Sequence, residues 1–285
     1  MAYEHIERTD HGEGIVRLSQ DRPEKRNAQN HELLEELDEA VRVVEAEDDS
    51  RVLIIDGNGP HFSVGHALGK DVIENRVENW AMEDFLELEQ ELYFDACLRL
   101  QELDLPTIAQ VHGYCGAGGM MLAAMCDLMV VAEDATFENP TYQMAAAGGE
   151  MFYEPWELGL RKAKELLWTG ESISGTEAAD LGLANRAVPE SELAEETMVM
   201  ASKIARLPPF AVQLSLRSFR FMANQMGRRA AYEYHMLIHQ MQHVSQEYTD
   251  QRKEAVDLIE KHGMDGWLER RRSKFDIDRD SISLD

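Results

Sequence analysis

Cysteine is scarce: Cys97, Cys115 and Cys126 are the only three in 285 residues. They show neither zinc-ligand spacing nor a CxxC pair, which argues against a cysteine-held metal or a dithiol redox motif and suits a reducing cytoplasm. Long apolar runs are missing too. No stretch approaches the 18 uncharged residues of a membrane span, and the opening MAYEHIERTD lacks the apolar core of a secretory signal. Positive charge is in short supply, with 28 Lys and Arg against 54 Asp and Glu and a net charge of −26. That excludes general nucleic-acid binding, which draws its affinity from cationic patches. The acid excess reads as a solvated surface, so an anionic ligand would have to be held by local basic groups and backbone N–H donors. Phosphate-cradling signatures fail as well. A G-x-G-x-x-G starting at Gly116 would need glycine where Met121 stands, and there is no GK[ST]. No residue is assigned to a metal.

Strand and helix patterns alternate through the first two-thirds of the chain. GIVRLS (14–19) reads as a short strand, and Asn30 is placed to cap a helix whose stripe is Leu33, Leu34, Leu37, Ala40, Val41 and Val44. RVLIIDGNG (51–59) reads as a buried strand with a glycine exit, HFSVGHALGKD (61–71) as an irregular loop, and 80–103 as one long amphipathic helix. Further strands are expected within 105–114 and 127–140. Beyond about residue 155 the pattern is mainly helical, with Gly170 as a C-cap and helices over 190–206 and 210–262 separated by Pro208-Pro209. The expectation is an α/β core over 1–205 and a helical C-terminal region over 206–285.

Chemistry concentrates in GYCGAGGMMLAAMCD (113–127), where four glycines fall within seven residues before an apolar, methionine-rich helix. Backbone N–H groups at such a turn can hold a developing negative charge, and glycine lets a carbonyl approach. One N–H is seldom sufficient, and FSVGH (62–66), leaving the preceding strand through glycine, is a candidate for the second.

These residues carry a resemblance. DRPEKRNAQN, HFSVGHALGKD, VHGYCGAGGMMLAAMCDLMVVAEDATF, LWTGESISGTEAADLGLANRAVP and ARLPPFAVQLSLRS follow, in order, the signatures of the crotonase (enoyl-CoA hydratase/isomerase) superfamily over roughly residues 12–225. The resemblance implies the crotonase (ClpP-like) fold of repeated β-β-α turns with a C-terminal helical trimerisation region, and a homotrimer or a hexamer made as a dimer of trimers. It implies an acyl-CoA thioester substrate, with coenzyme A as part of that substrate and no separate cofactor. The thioester oxygen would be held by the N–H groups of His66 and Gly118. Lys25, Ala28, Phe62 and Val64 match CoA-contacting positions, and Gly65 belongs to the same substrate-binding loop.

The departures from the family pattern bear on the reaction. Hydratases of the family use two glutamates, and this chain has Met121 and Thr141 at those positions. Methionine transfers no proton, and threonine is a poor base without a partner. Met121 then lines a dry acyl pocket, while Met120, Met125, Met129 and Met144 read as core filler. Glu150, on a glycine turn beside the expected pocket, is the replacement acid–base candidate, and burial there would raise its pKa. The His66 imidazole is a second candidate; Tyr142 and Glu154 are further polar groups of the segment. Cys115 and Cys126 read as small buried residues. GWLERRRSKF (266–275), with four positive charges, reads as a solvated terminus, with contact to CoA phosphate as the alternative. The leading expectation is an enoyl-CoA hydratase by name. The alternatives are an isomerase or hydrolase using Glu150, or a non-catalytic CoA-thioester-binding protein.

Overall fold

A computed structural model describes residues 3–68, 80–144 and 147–277. The strands are β1 (Ile6–Asp10), β2 (Ile15–Gln20), β3 (Val52–Gly57), β4 (Thr107–Val111), β5 (Tyr114–Gly116), β6 (Leu128–Ala132), β7 (Thr136–Glu138), β8 (Ile173–Ser174) and β9 (Arg186–Val188). They form a six-stranded sheet in the order β1-β2-β3-β4-β6-β9 and a three-stranded sheet in the order β5-β7-β8. From β2 onward the large sheet is parallel, so its inner strands are covered on both faces. All six residues of VLIIDG in β3 are buried, which is why that stretch has no polar alternation.

The chain climbs in strand–strand–helix steps. β4 in the large sheet leads to β5 in the small one and then to α4; β6 and β7 repeat the step. The helices before that point are α1 (His31–Glu45), α2 (Met82–Glu89) and α3 (Ala96–Gln101), and α4 is Gly118–Ala124. Asn30 caps α1 as expected, its side chain accepting from Leu33 N at 3.3 Å. The single helix expected over 80–103 is interrupted: between α2 and α3, Gln90–Asp95 widens into a π turn. Such turns insert a residue into the ladder and re-aim side chains, here Tyr93.

α5 (Glu154–Thr169), α6 (Gly175–Leu181) and α7 (Glu190–Ala205) follow, with α7 lying on the large sheet and Gly170 ending α5 in a left-handed conformation. The long helix expected over 210–262 is three helices: α8 (Pro209–Gln225), α9 (Arg228–His243) and α10 (Gln246–Ser273). Two local causes break it. Gly227 takes φ 99°, and the Ser245 hydroxyl accepts from Tyr248 N at 3.1 Å, capping a new start. The basic terminal stretch is not simply solvated. It forms the end of α10, where Arg271 is buried and reaches Glu138 at 3.6 Å. No helix among the described residues is long and apolar enough to cross a membrane.

One apolar core runs through the sheets. Leu18, Leu33, Leu53, Ile54, Ile55, Ile108 and Phe137 are fully buried in it, and Tyr232 and Met236 of α9 join the same cluster. Each such side chain contributes roughly 1.5–3 kcal/mol. Gly175 starts α6 against the end of β6, and a Cβ there would lie 1.8 Å from the Ala132 carbonyl oxygen. Backbone cannot yield like a flexible side chain, so Gly175→Ala is expected to cost about 3 kcal/mol in urea unfolding. Glu154 opens α5 while 1% exposed, and burial raises its carboxyl to about 7. A raised acid stabilises the fold below its ordinary value near 4.5 and loses that contribution as pH rises through about 7. Glu154→Gln, a permanent mimic of the neutral acid, is therefore expected to gain on the wild type by about 2–3 kcal/mol between about pH 5 and about pH 8 in denaturant titrations.

Candidate active site

The site begins as backbone stitching. Arg26 and Asn27 both take left-handed conformations, which turns the chain so that Gln29 pairs in parallel with His66. Gln29 N donates to Gly65 O and Ala67 N to Gln29 O, both at 2.8 Å, and Val64 N donates to Arg26 O at 3.1 Å. On its other side the loop extends the small sheet: Ser63 N donates to Tyr114 O at 3.2 Å and Gly116 N to Ser63 O at 2.9 Å. The irregular loop read from sequence is thus held between two segments. Its last three residues, 69–71, lie outside the described part.

This stitching brings Gly65 against the start of α4. A Cβ on Gly65, at φ 87°, would lie 2.8 Å from Gly118 N. A Cβ on Gly118 would lie 2.6 Å from Cε1 of His66 and 2.7 Å from Oε1 of Gln29. Glycine is therefore needed at 118 because the His66 ring occupies that space. Ala117, the residue before α4, sits at φ 44°, a conformation costing about 1–3 kcal/mol that places the turn rather than stabilises it. Among the described residues, no acceptor takes the N–H of His66 or of Gly118. For Gly118 this follows from helix geometry, since first-turn N–H groups have no partner within the helix.

The side chains complete the arrangement. His66 Nε2 lies 3.2 Å from Glu150 Oε2, and the His66 ring stacks on Tyr93 at 3.9 Å between centroids. The side chain of His66 is 18% exposed and that of Glu150 is 5%. Met121 is buried, its sulfur 3.8 Å from where a Cβ of Gly149 would stand, so it lies against the loop that carries Glu150. The expected rise in the Glu150 pKa is reversed. Burial does push the carboxyl up, but the His66 and His239 rings outweigh it and hold it below the usual glutamate value. The group is therefore a carboxylate at neutral pH, disposed to accept a proton.

Five residues that the sequence reading did not single out stand behind Glu150. His239 Nε2 lies 3.8 Å from Glu150 Oε1 and 3.2 Å from Glu89 Oε2. His243 Nε2 and Gln240 Nε2 also reach Glu89 Oε2, at 3.0 and 2.8 Å. His235 Nε2 bonds to Gly149 O at 3.0 Å, and its ring stacks on Phe152 at 4.3 Å. Burial lowers His235 to about 4, so it is neutral and anchors the loop. Burial also disfavours the charged form of His239, but the bond to Glu89 and the nearby Glu150 charge prevail and raise it; in return the imidazoles of His239 and His243 hold Glu89 low. The available signal was the spacing of His235, His239 and His243, which puts three imidazoles on one face of α9.

The other sequence-predicted residues divide. Lys25 is exposed at the end of the Pro23–Lys25 turn, with Ala28 and Val64 half-buried on adjoining paired segments. Phe62 is fully buried; it supports the loop from beneath and presents no side chain to a ligand. Thr141 spends its hydroxyl on Asn139 Oδ1 at 2.8 Å, and Asn139 in turn donates to Glu154 Oε1 at 2.6 Å. Tyr142 is half-buried. Burial pushes the thiols of Cys97, Cys115 and Cys126 up, which leaves them as packing groups rather than nucleophiles.

Known proteins share this architecture. The enoyl-CoA hydratase/isomerase family profile matches residues 10–278. A putative enoyl-CoA hydratase, EchA13 of Mycobacterium tuberculosis, is 36% identical over 269 residues, covering 89% of this chain and 84% of the relative. The crystal structure of a probable enoyl-CoA hydratase from Mycobacterium smegmatis superposes with a TM-score of 0.79 at 37% identity, over 85% of this chain and 95% of that one. An enoyl-CoA hydratase/isomerase from Xanthobacter autotrophicus Py2 gives a TM-score of 0.89 at 28% identity, over 97% of this chain and all of that one. A profile match across nearly the whole chain, together with these relatives and the stepped two-sheet fold, establishes that the chain belongs to the enoyl-CoA hydratase/isomerase family, the crotonase superfamily, and is an enzyme of that family.

Proposed function

We propose that this enzyme moves a proton along the acyl chain of an enoyl-CoA, with Glu150 as the base. The thioester oxygen accepts from the N–H groups of His66 and Gly118, which stabilise the enolate by about 3 kcal/mol per donor. The Glu150 carboxylate takes a proton from one carbon and returns it to another, shifting the double bond. The observation that carries this reading is the buried Glu150 carboxyl held 3.2 Å from His66, whose ring lies over Gly118. With Met121 and Thr141 at the usual glutamate positions, one carboxylate base suits a proton shift better than a water addition that uses two. Met121 lines the acyl side, and Lys25 with Ala28, Val64 and Gly65 borders the CoA arm.

Hydration is a second reading, favoured by the His66–Glu150 pair: two proton-carrying groups in contact can activate a water beside them. Coenzyme A arrives as part of the substrate, and neither scheme draws on a further cofactor. Apolar side chains left exposed on α8 and α9, among them Phe210, Phe219, Phe221, Leu237 and Met241, support assembly of the helical C-terminal region into a homotrimer or dimer of trimers. A cytoplasmic setting fits the buried free thiols and the bacterial relatives.

A panel of 2-enoyl- and 3-enoyl-CoA thioesters separates these readings. Isomerisation creates the conjugated thioester chromophore from a 3-enoyl substrate, and hydration removes it from a 2-enoyl substrate. Glu150→Gln is expected to lower kcat by about 10²–10⁴ while leaving the Kd for acyl-CoA nearly unchanged. Unchanged turnover would remove Glu150 from the mechanism; binding of several thioesters by the wild type without turnover of any would make this a binding protein. Because Glu150 is held low, kcat/KM is expected to stay level through neutral pH and to fall only in acid, below the ordinary glutamate value near 4.5. Gly118→Val, which displaces His66, is expected to weaken binding and slow turnover together.

A further inference from the structure

We propose that Glu89, His239 and His243 form a binding site for one divalent transition-metal ion of the zinc class. One ligand atom from each lies within 4.8 Å of the other two. The Glu89 Oε2 separations from His239 Nε2 and His243 Nε2 are 3.2 and 3.0 Å. Donors about 2.0–2.1 Å from a tetrahedral ion stand roughly 3.3 Å apart, which the two Glu89 separations match, while the two histidine nitrogens lie within the 4.8 Å span of the cluster. His239 and His243 are four residues apart on α9 and face the same way; Glu89 comes from the end of α2, just before the π turn. The three side chains are 2–5% exposed.

Neighbouring side chains hold the three groups in place. Phe85 lies flat on His243, 4.1 Å between centroids and 7° between planes. The Gln240 amide holds Glu89 at 2.8 Å, and the Gln242 amide lies 3.1 Å from the His239 ring nitrogens. Nδ1 of His243 is buried without a partner. Charge supplies the driving force. Glu89 and Glu150 are 2% and 4% exposed, and among the described residues no lysine or arginine pairs with either. Buried carboxylates are costly unless compensated, and a dication held by two neutral imidazoles and one carboxylate compensates them. Two nitrogens and one oxygen, without thiolate, suit zinc, cobalt or nickel rather than magnesium or calcium. The ion would join α9 to α2, with water completing its shell. The proton-transfer reading above places none of the three ligands on the substrate, although the His239 ring also lies 3.8 Å from Glu150.

Chelator-treated full-length protein titrated with cobalt(II) chloride tests the site. One equivalent is expected to give the visible ligand-field band of four-coordinate cobalt, to be displaced by zinc, and to raise the Tm. Glu89→Gln and His243→Gln, which keep side-chain size and polarity, are expected to weaken cobalt binding at least about 10–100-fold. Glu150→Gln is expected to keep the band while losing turnover, so the two readings fail separately. Absence of the band and of stoichiometric metal after dialysis of the wild type would leave the cluster a hydrogen-bonded network only. A band that persists in both glutamine variants would place the metal elsewhere and overturn the assignment. The wild-type measurements decide the question even if a variant fails to fold.

Discussion

The His66 ring rests in the space that any side chain at position 118 would fill, and much of the site depends on that contact. It joins two loops that the sheets deliver separately, one leaving β3 and one leaving β5. It also turns the imidazole so that one face meets Tyr93 and one nitrogen meets Glu150. The strained Ala117, the left-handed pair Arg26 and Asn27, and the glycine at 65 all serve this approach. Backbone strain of this kind persists only where surrounding structure over-determines it, and here the loop is hydrogen-bonded on both edges.

Behind that contact lies an unusual amount of buried polarity. Two glutamates and four histidines share a small volume between α2, α9 and the 147–150 loop. Their order has consequences for charge: each carboxylate is flanked by imidazoles, so both are held low despite burial, while the neutral His235 anchors the loop through a carbonyl. A carboxyl in an apolar pocket would be a general acid. The same residue among histidines is held below the usual carboxyl range.

The parallel core strands were legible because a strand covered on both faces must be apolar throughout, as in VLIIDG. The glycine loop was legible because four glycines in seven residues have few other uses. Helix interruptions were harder to read. The breaks at Gly227 and Ser245 have local causes, a left-handed glycine and a serine cap, inside an otherwise continuous helical pattern, and the π turn at Gln90–Asp95 has no local marker in the sequence. The direction of the Glu150 shift was misread for a different reason: burial was foreseeable from the segment, but the partners that outweigh it lie 84 and 89 residues away in sequence. Phe62 was placed in the right loop but faces the core, since alternation along an irregular segment does not reveal which side is wet.

The sequence by itself determined the family: the order of its motifs is that of the enoyl-CoA hydratase/isomerase fold, and the glycine loop at 113–119 stands out within it. Those are local statements, made by residues close together in the chain. Only the tertiary structure decided which polar side chains meet around that loop. Glu89, Glu150 and His239 come from three segments spread over 150 residues, and no periodicity in any one of them encodes the others. Their meeting depends on α9 packing against α2 and the 147–150 loop, and burial there makes each charge answer to its neighbours rather than to water.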